Sequence, residues 1–235
     1  MASRLFLAFF FSIAGLGISS TSSAQNILAN PGFEIDSYGS DLPQSFDQWS
    51  GDLADLVGAE QGVTPAEGSA MLRFLATEVA GPAAASISCD VLQLRSLASW
   101  LPSIRAGSVS VRVDAKVNRV AGASVDSQFW LEVWAMRGAP EDFPSNLGSP
   151  LGTAQVSLDS DANPVTWETL EAALDLHPLT DYVAVYLYAV ENVVNDGPPN
   201  QEFDGHYADD VSLQLEGAVS SGSTRFGAVK ARFDG

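Results

Sequence analysis

The chain has 235 residues, with 29 acids against 11 bases and a formal net charge of −18 at neutral pH. That balance excludes nucleic acid and anionic membrane as surfaces to bind, because both demand clustered Lys and Arg. The single cysteine, Cys89, excludes an internal disulfide, so cohesion must come from a packed core, with or without a metal ion.

In chain order, residues 1–24 have the pattern of a secretory signal: Arg4, an apolar run over 5–18, then Ser22-Ser23-Ala24 before Gln25. The apolar run is shorter than the ~20 residues needed to cross a bilayer, and no later run is long enough. The expectation is a soluble, secreted product, extracellular or periplasmic, with no membrane span. Residues 25–216 then read as one β-rich domain. Residues 26–34, Asn-Ile-Leu-Ala-Asn-Pro-Gly-Phe-Glu, open it as a short strand pattern ending in an acid. Strand patterns follow at 48–51, 54–60, 69–76 and 86–94. Cys89 alternates there with Ile87 and Val91, as a small buried residue would. Residues 95–104 form a short helical turn between strands.

Period-two alternation is clearest in the middle of the chain. Val109, Val111, Val113, Ala115 and Val117 share one face of a strand, and Phe129, Leu131, Val133 and Ala135 share one face of the next. After a loop at 137–152 come strands at 154–158, 166–174 and 182–189; a second long loop, 192–205, precedes the closing strand at 207–215. About ten strands at this spacing, with no long helical period, predict an antiparallel β-sandwich. Residues 217–224 have linker composition, and 225–235 read as a tail.

Two constellations carry candidate chemistry. On the closing strand the alternation sets Asp209 on one face with Val211, Leu213 and Leu215. A carboxylate on an apolar face needs a partner, either a base such as Arg73 or a metal. The second group is Trp130, Glu132, Trp134, Tyr186 and Tyr188, all opposite the aliphatic core set. Exposed, these rings would offer flat apolar plates to sugar rings, with Arg112, Asp114 and Glu132 to bond hydroxyls at the edges. Covered by loops, they would instead form a second small core. Asp159-Ser-Asp161-Ala-Asn163 imitates the start of a calcium loop. Pro164 and Leu170 stand where that loop needs Gly and a bidentate Glu, so the stretch reads as an Asx turn.

The two ends, 26–34 and His206-Tyr-Ala-Asp-Asp-Val-Ser-Leu-Gln-Leu215, resemble the opening and closing strands of bacterial jelly-roll carbohydrate-binding modules with a galactose-binding-like fold. Trp167 lies where those modules carry a packing Trp. The resemblance implies a structural calcium ion held by Glu34, Asp209, Glu67 and the carbonyl of Ala70. Glu60 is the rival of Glu67, and Asp210 of Asp209. It also implies a glycan or polysaccharide partner and a lectin-like, non-catalytic role. No Gly-x-Ser-x-Gly elbow, Cys/His zinc spacing or phosphate loop is present to support catalysis. A structural or adhesive protein contacting other cell-surface proteins is the alternative. A polysaccharide hydrolase or lyase is a further one, with Glu132 and Asp114 as its two carboxylates.

Overall fold

Alternating apolar residues drive the chain into two sheets that bury those residues against each other. The computed structural model describes residues 25–77, 88–120, 127–161, 163–191, 203 and 205–217. The expected signal at 1–24, the expected tail beyond Gly217, part of the 192–205 loop and the start of the 86–94 pattern lie outside them. The strands are β1 (Gly39–Ser40), β2 (Trp49–Gly51), β3 (Leu53–Val57), β4 (Met71–Ala76), β5 (Ser88–Ser96), β6 (Ser110–Arg119), β7 (Ser127–Met136), β8 (Gly152–Asp159), β9 (Glu168–Asp175), β10 (Tyr182–Glu191) and β11 (His206–Glu216). One sheet has the order β1-β2-β5-β10-β7-β8, the other β3-β4-β11-β6-β9. All the pairings are antiparallel except the short β1–β2 contact. The chain is an all-β sandwich, as its periodicity predicts.

The core between the sheets holds the residues the alternation selected. Val111, Val113, Ala115 and Val117 of β6 face Phe129, Leu131 and Val133 of β7 and Val183, Val185 and Leu187 of β10, all fully buried. Cys89 is buried in the same core, and burial pushes its thiol pKa well up, so it is a packing residue. The expected helical turn is a 3₁₀ turn at Ala98–Trp100 running into α1, Leu101–Arg105. The 137–152 loop contains α2, Phe143–Asn146, which drops Phe143 onto the outer face of the six-stranded sheet.

Residues 26–34 form no ladder strand, contrary to the sequence reading, because side-chain and turn bonds replace the ladder. Asn26 clamps the segment to β11: its Nδ2 donates to Val211 O (2.9 Å), and its Oδ1 accepts from Leu213 N (3.0 Å). Ile27 N donates to Leu213 O (2.9 Å). Beyond that point Asn30 and Phe33 adopt positive φ and turn the chain toward Glu34. The two ends of the domain are therefore neighbours.

Candidate functional site

The first acidic residues to consider are those where the chain ends meet. The register of β11 shifts between Asp209 and Ser212, and Asp210 has φ 47°. This bulge breaks the expected alternation: Ala208, Val211 and Leu213 enter the core, and Asp209 is turned away from them. Fully buried, Asp209 accepts at Oδ2 from Ala66 N (2.7 Å) and Glu67 N (3.1 Å), and at Oδ1 from Asp210 N (2.7 Å). Glu34 meets the same loop from the other side. Its Oε1 accepts from Ser69 N (2.7 Å) and Ala70 N (2.9 Å), and its Oε2 from Ser69 Oγ (2.7 Å). The loop over 65–70 is thus strung between two carboxylates, one from each end of the domain.

The two acids respond in opposite directions. Burial pushes Asp209 up to about 6 despite its three N–H donors. Glu34 is held below the ordinary carboxylate range, first by the Ala70 N–H, then by the Ser69 hydroxyl and N–H. Arg73 is not the partner of Asp209; it bridges to Asp55 (2.8 Å) and Glu60 (3.1 Å), and Glu60 also accepts from Tyr207 Oη (3.0 Å). Glu60 is thereby committed elsewhere, and Asp210 lies 3.5 Å from Lys116.

As for a hard cation, Glu34, Glu67, Ala70 and Asp209 do gather around one loop. Gly32 sits between the two carboxylates: a Cβ there would lie 3.7 Å from Asp209 Oδ1 and 4.0 Å from Glu34 Cγ. The donors are all oxygens, the kind a hard cation takes. Backbone N–H groups already take part of its lone-pair capacity. Among the described residues no three His, Cys, Asp or Glu side chains converge on one point.

The second site lies on the outer face of the six-stranded sheet, where the register sets side chains in rows. One row reads Asp90, Tyr188, Trp130, Ser157; the next Leu92, Tyr186, Glu132, Gln155; the next Leu94, Ala184, Trp134, Thr153. Direct cross-strand partners such as Trp130 and Tyr188 have Cβ atoms about 5 Å apart, and diagonal neighbours such as Trp134 and Tyr186 are also within reach of their rings. Trp134 stacks on Tyr186 with centroids 4.6 Å apart, and Trp130 on Tyr188 at 5.8 Å with only 8° between planes. Hydrogen bonds lock the rings. Tyr188 Oη and Trp134 Nε1 both donate to Glu132, each at 2.7 Å, and Trp130 Nε1 donates to Gln128 Oε1 (2.6 Å).

This face has a covered half and an open half. Leu42, Phe46, Phe143 and Leu147 lie over Leu92, Leu94, Met136, Tyr182, Ala184 and Tyr186, making a small second core. The second small core is therefore formed over one half of this face. Toward the other end Asp90, Trp130, Glu132 and Tyr188 are partly exposed, and Gln155 and Ser157 are exposed. Asp90 is pushed up to about 6, first by burial, then by Asp52 and Glu132, against a hydrogen bond from the Ser88 side chain. Tyr186 and Tyr188 titrate well above the ordinary phenol range, burial being the largest cause for each.

Arg112 and Asp114 do not belong to this group, which corrects the sequence reading. They lie on β6 in the other sheet, on its outer face, across the sandwich from Trp130. Arg112 pairs with Glu171, and Asp114 accepts from Ser212 Oγ (2.6 Å). Alternation correctly put them away from the core; only pairing partners could show from which sheet. Asp90 is the residue that sequence reasoning missed. Its signal was present, an acid between Cys89 and Val91 on a strand with an inward aliphatic face. The Asp161–Asn163 stretch is the expected Asx turn, with Asn163 N donating to Asp161 Oδ1 (2.8 Å). Trp49 and Trp167 are structural, donating to Asn30 O (3.0 Å) and Thr64 O (2.9 Å).

No family model and no curated protein sequence matches the chain. Among solved structures it is similar to a cyclase from Fischerella sp. TAU, at 15% identity and a TM-score of 0.50, over 84% of this chain and 100% of that one. It is also similar to the carbohydrate-binding module TmCBM61 in complex with β-1,4-galactotriose (18% identity, 82% and 100% covered, TM-score 0.47). A third is the xylan-binding domain CBM22-1 of Paenibacillus barcinonensis Xyn10C (14% identity, 82% and 96% covered, TM-score 0.42). Carbohydrate-binding modules thus stand among its structural neighbours. At such identities the likeness is one of fold.

Proposed function

We propose that this chain is an exported, non-catalytic, lectin-like domain that binds a glycan on the open half of its aromatic face. The observation that carries the reading is the Trp130–Tyr188 stack beside Glu132 and Asp90: partly exposed rings held in parallel planes by hydrogen bonds. Sugar rings bury their axial C–H faces on such plates, and acceptors at the plate edge orient hydroxyl groups. Pre-fixed rings lose little side-chain freedom on binding, which leaves more of the contact energy as affinity.

The reading extends to a structural calcium ion held by the carboxylates of Glu34 and Asp209, with Glu67 and the Ala70 carbonyl. The space beside Gly32, between the two carboxylates, supports it. Galactan and xylan oligosaccharides are natural first probes, since neighbouring modules are described with such ligands. Titration of the protein should perturb its tryptophan fluorescence saturably, and Trp130→Ala should remove the response. A saturable response that survives in Trp130→Ala places the ligand elsewhere and contradicts the assignment.

A further inference from the structure

Resting on this reading, we propose that the glycan carries free amino groups: the open half fits a polymer of non-acetylated amino sugars better than a neutral one. The argument starts from which hydrogen-bonding capacity remains on the face. Four of its donors on β7 and β10 are already spent within the protein, while Gln155 and Ser157 on β8 remain exposed. Trp130 Nε1 goes to Gln128, Trp134 Nε1 and Tyr188 Oη go to Glu132, and Gln128 Nε2 goes to Asp159 Oδ1 (3.1 Å). The charged groups on the three central strands are the Asp90 and Glu132 carboxylates, which when ionised only accept. A sugar hydroxyl wants both a donor and an acceptor. An ammonium group offers three donors and needs no donor in return.

Charge points the same way. In the outward rows Ser88–Val190–Gln128–Asp159, Asp90–Tyr188–Trp130–Ser157 and Leu92–Tyr186–Glu132–Gln155 no position is Lys or Arg. The acids nearest the rings, Asp90 and Glu132, flank Tyr188, and the buried Asp52 adds its charge from behind, with its Oδ2 accepting from Asp90 N (2.8 Å). Arg95, beside the outward Leu94, and Arg105, on α1, are engaged elsewhere, with Asp47 and Asp181. A cation over the Trp130 and Tyr188 faces gains from their quadrupoles as well as from the carboxylates. A uronic or sulfated polymer would be repelled.

Isothermal titration with a glucosamine hexamer, its N-acetylated counterpart and cellohexaose tests this directly. The expected result is about tenfold tighter binding of the glucosamine hexamer, the sum of a cation–π contact and a partly exposed ion pair. Asp90→Asn should erase that preference, and Glu132→Gln should reduce it, each checked for folding by melting. Glu171→Gln removes one charge from the opposite sheet and should leave the preference intact. Equal binding of the three oligomers that still depends on Trp130 overturns the amine inference and leaves the glycan reading standing. An equal loss in Asp90→Asn and Glu171→Gln also overturns it, by showing attraction to net charge alone. Binding of none of these oligomers, or binding unaffected by Trp130→Ala, overturns the amine inference, and in the second case the assigned face as well.

Discussion

Trp130 and Trp134 look alike in the sequence, two residues flanking-by-one the same Glu132, yet they do different work. Trp134 lies against Tyr186 at the margin of the covered half, packed with Phe143 and Leu147 around it. Trp130 stands on the open side, one ring face against Tyr188. Trp134→Ala should therefore cost about 3 kcal/mol, as loss of a packed aromatic does, and Trp130→Ala about 1 kcal/mol. Chemical denaturation of the two variants checks the order; equal large losses would make Trp130 a core residue. Asp90 is the other residue with a split role. Its folded-state pKa, about 6, lies above the ordinary 3.8, so the folded protein holds that proton more tightly than the unfolded chain. Stability contributed by this group is then greatest below about pH 4 and falls as pH rises through about 6. Asp90→Asn should raise stability at pH 7–8, on the order of 1–2 kcal/mol after allowing for solvent screening, and change little at pH 4. Melting curves across that range would contradict this if the gain appeared at pH 4 instead.

At the scale of elements, the 65–70 loop is the piece whose placement depends most on two side chains. Glu34 and Asp209 supply all the acceptors for four of its backbone N–H groups. Gly68, at φ +64°, passes so close that a Cβ would come within 2.1 Å of Glu34 Oε1. Gly68→Ala should therefore cost about 1–3 kcal/mol, through both backbone strain and the displaced carboxylate. The calcium proposal bears on the same loop: an ion bound only by the folded state stabilises it by roughly 2.7 kcal/mol at a hundredfold excess over Kd. Melting in calcium and then in excess chelator should show a higher midpoint with calcium, and Glu34→Gln should abolish the difference. Identical midpoints would assign the two carboxylates to loop anchoring alone.

The strands themselves were legible. Runs such as Val109 to Val117 and Phe129 to Ala135 need only period two to be read, and the structure buries those residues. The bulge at Asp210 was not legible, because one inserted residue leaves no mark on composition and flips every later side chain. That is why Asp209 read as an acid on the Val211 face. The 26–34 segment misled for a related reason: its apolar residues pack like a strand's, while Asn26 and Asn30 supply through side chains the bonds a ladder would have made.

Across the whole molecule the two outer faces differ in kind. That of the five-stranded sheet carries interleaved charges such as Arg112 with Glu171 and Lys116 with Asp210, and a small covered cluster of Val63, Met71 and Tyr207. That of the six-stranded sheet carries rings, half of them roofed by the 41–47 and 137–151 loops. Which face Arg112 and Asp114 belong to depends on strand pairing over long sequence separations, which alternation within one strand does not encode. The end-strand motifs, by contrast, were informative because closing a sandwich brings first and last segments together.

The central claim is that the open aromatic half is a glycan site, and a glycan array probed with the wild-type domain and Trp130→Ala tests it most directly. The account predicts a discrete set of glycans, richest in free amino sugars, retained by the wild type and lost in a variant that stays folded. The same pattern of binding in Trp130→Ala, or no binding by the folded wild type, would contradict it.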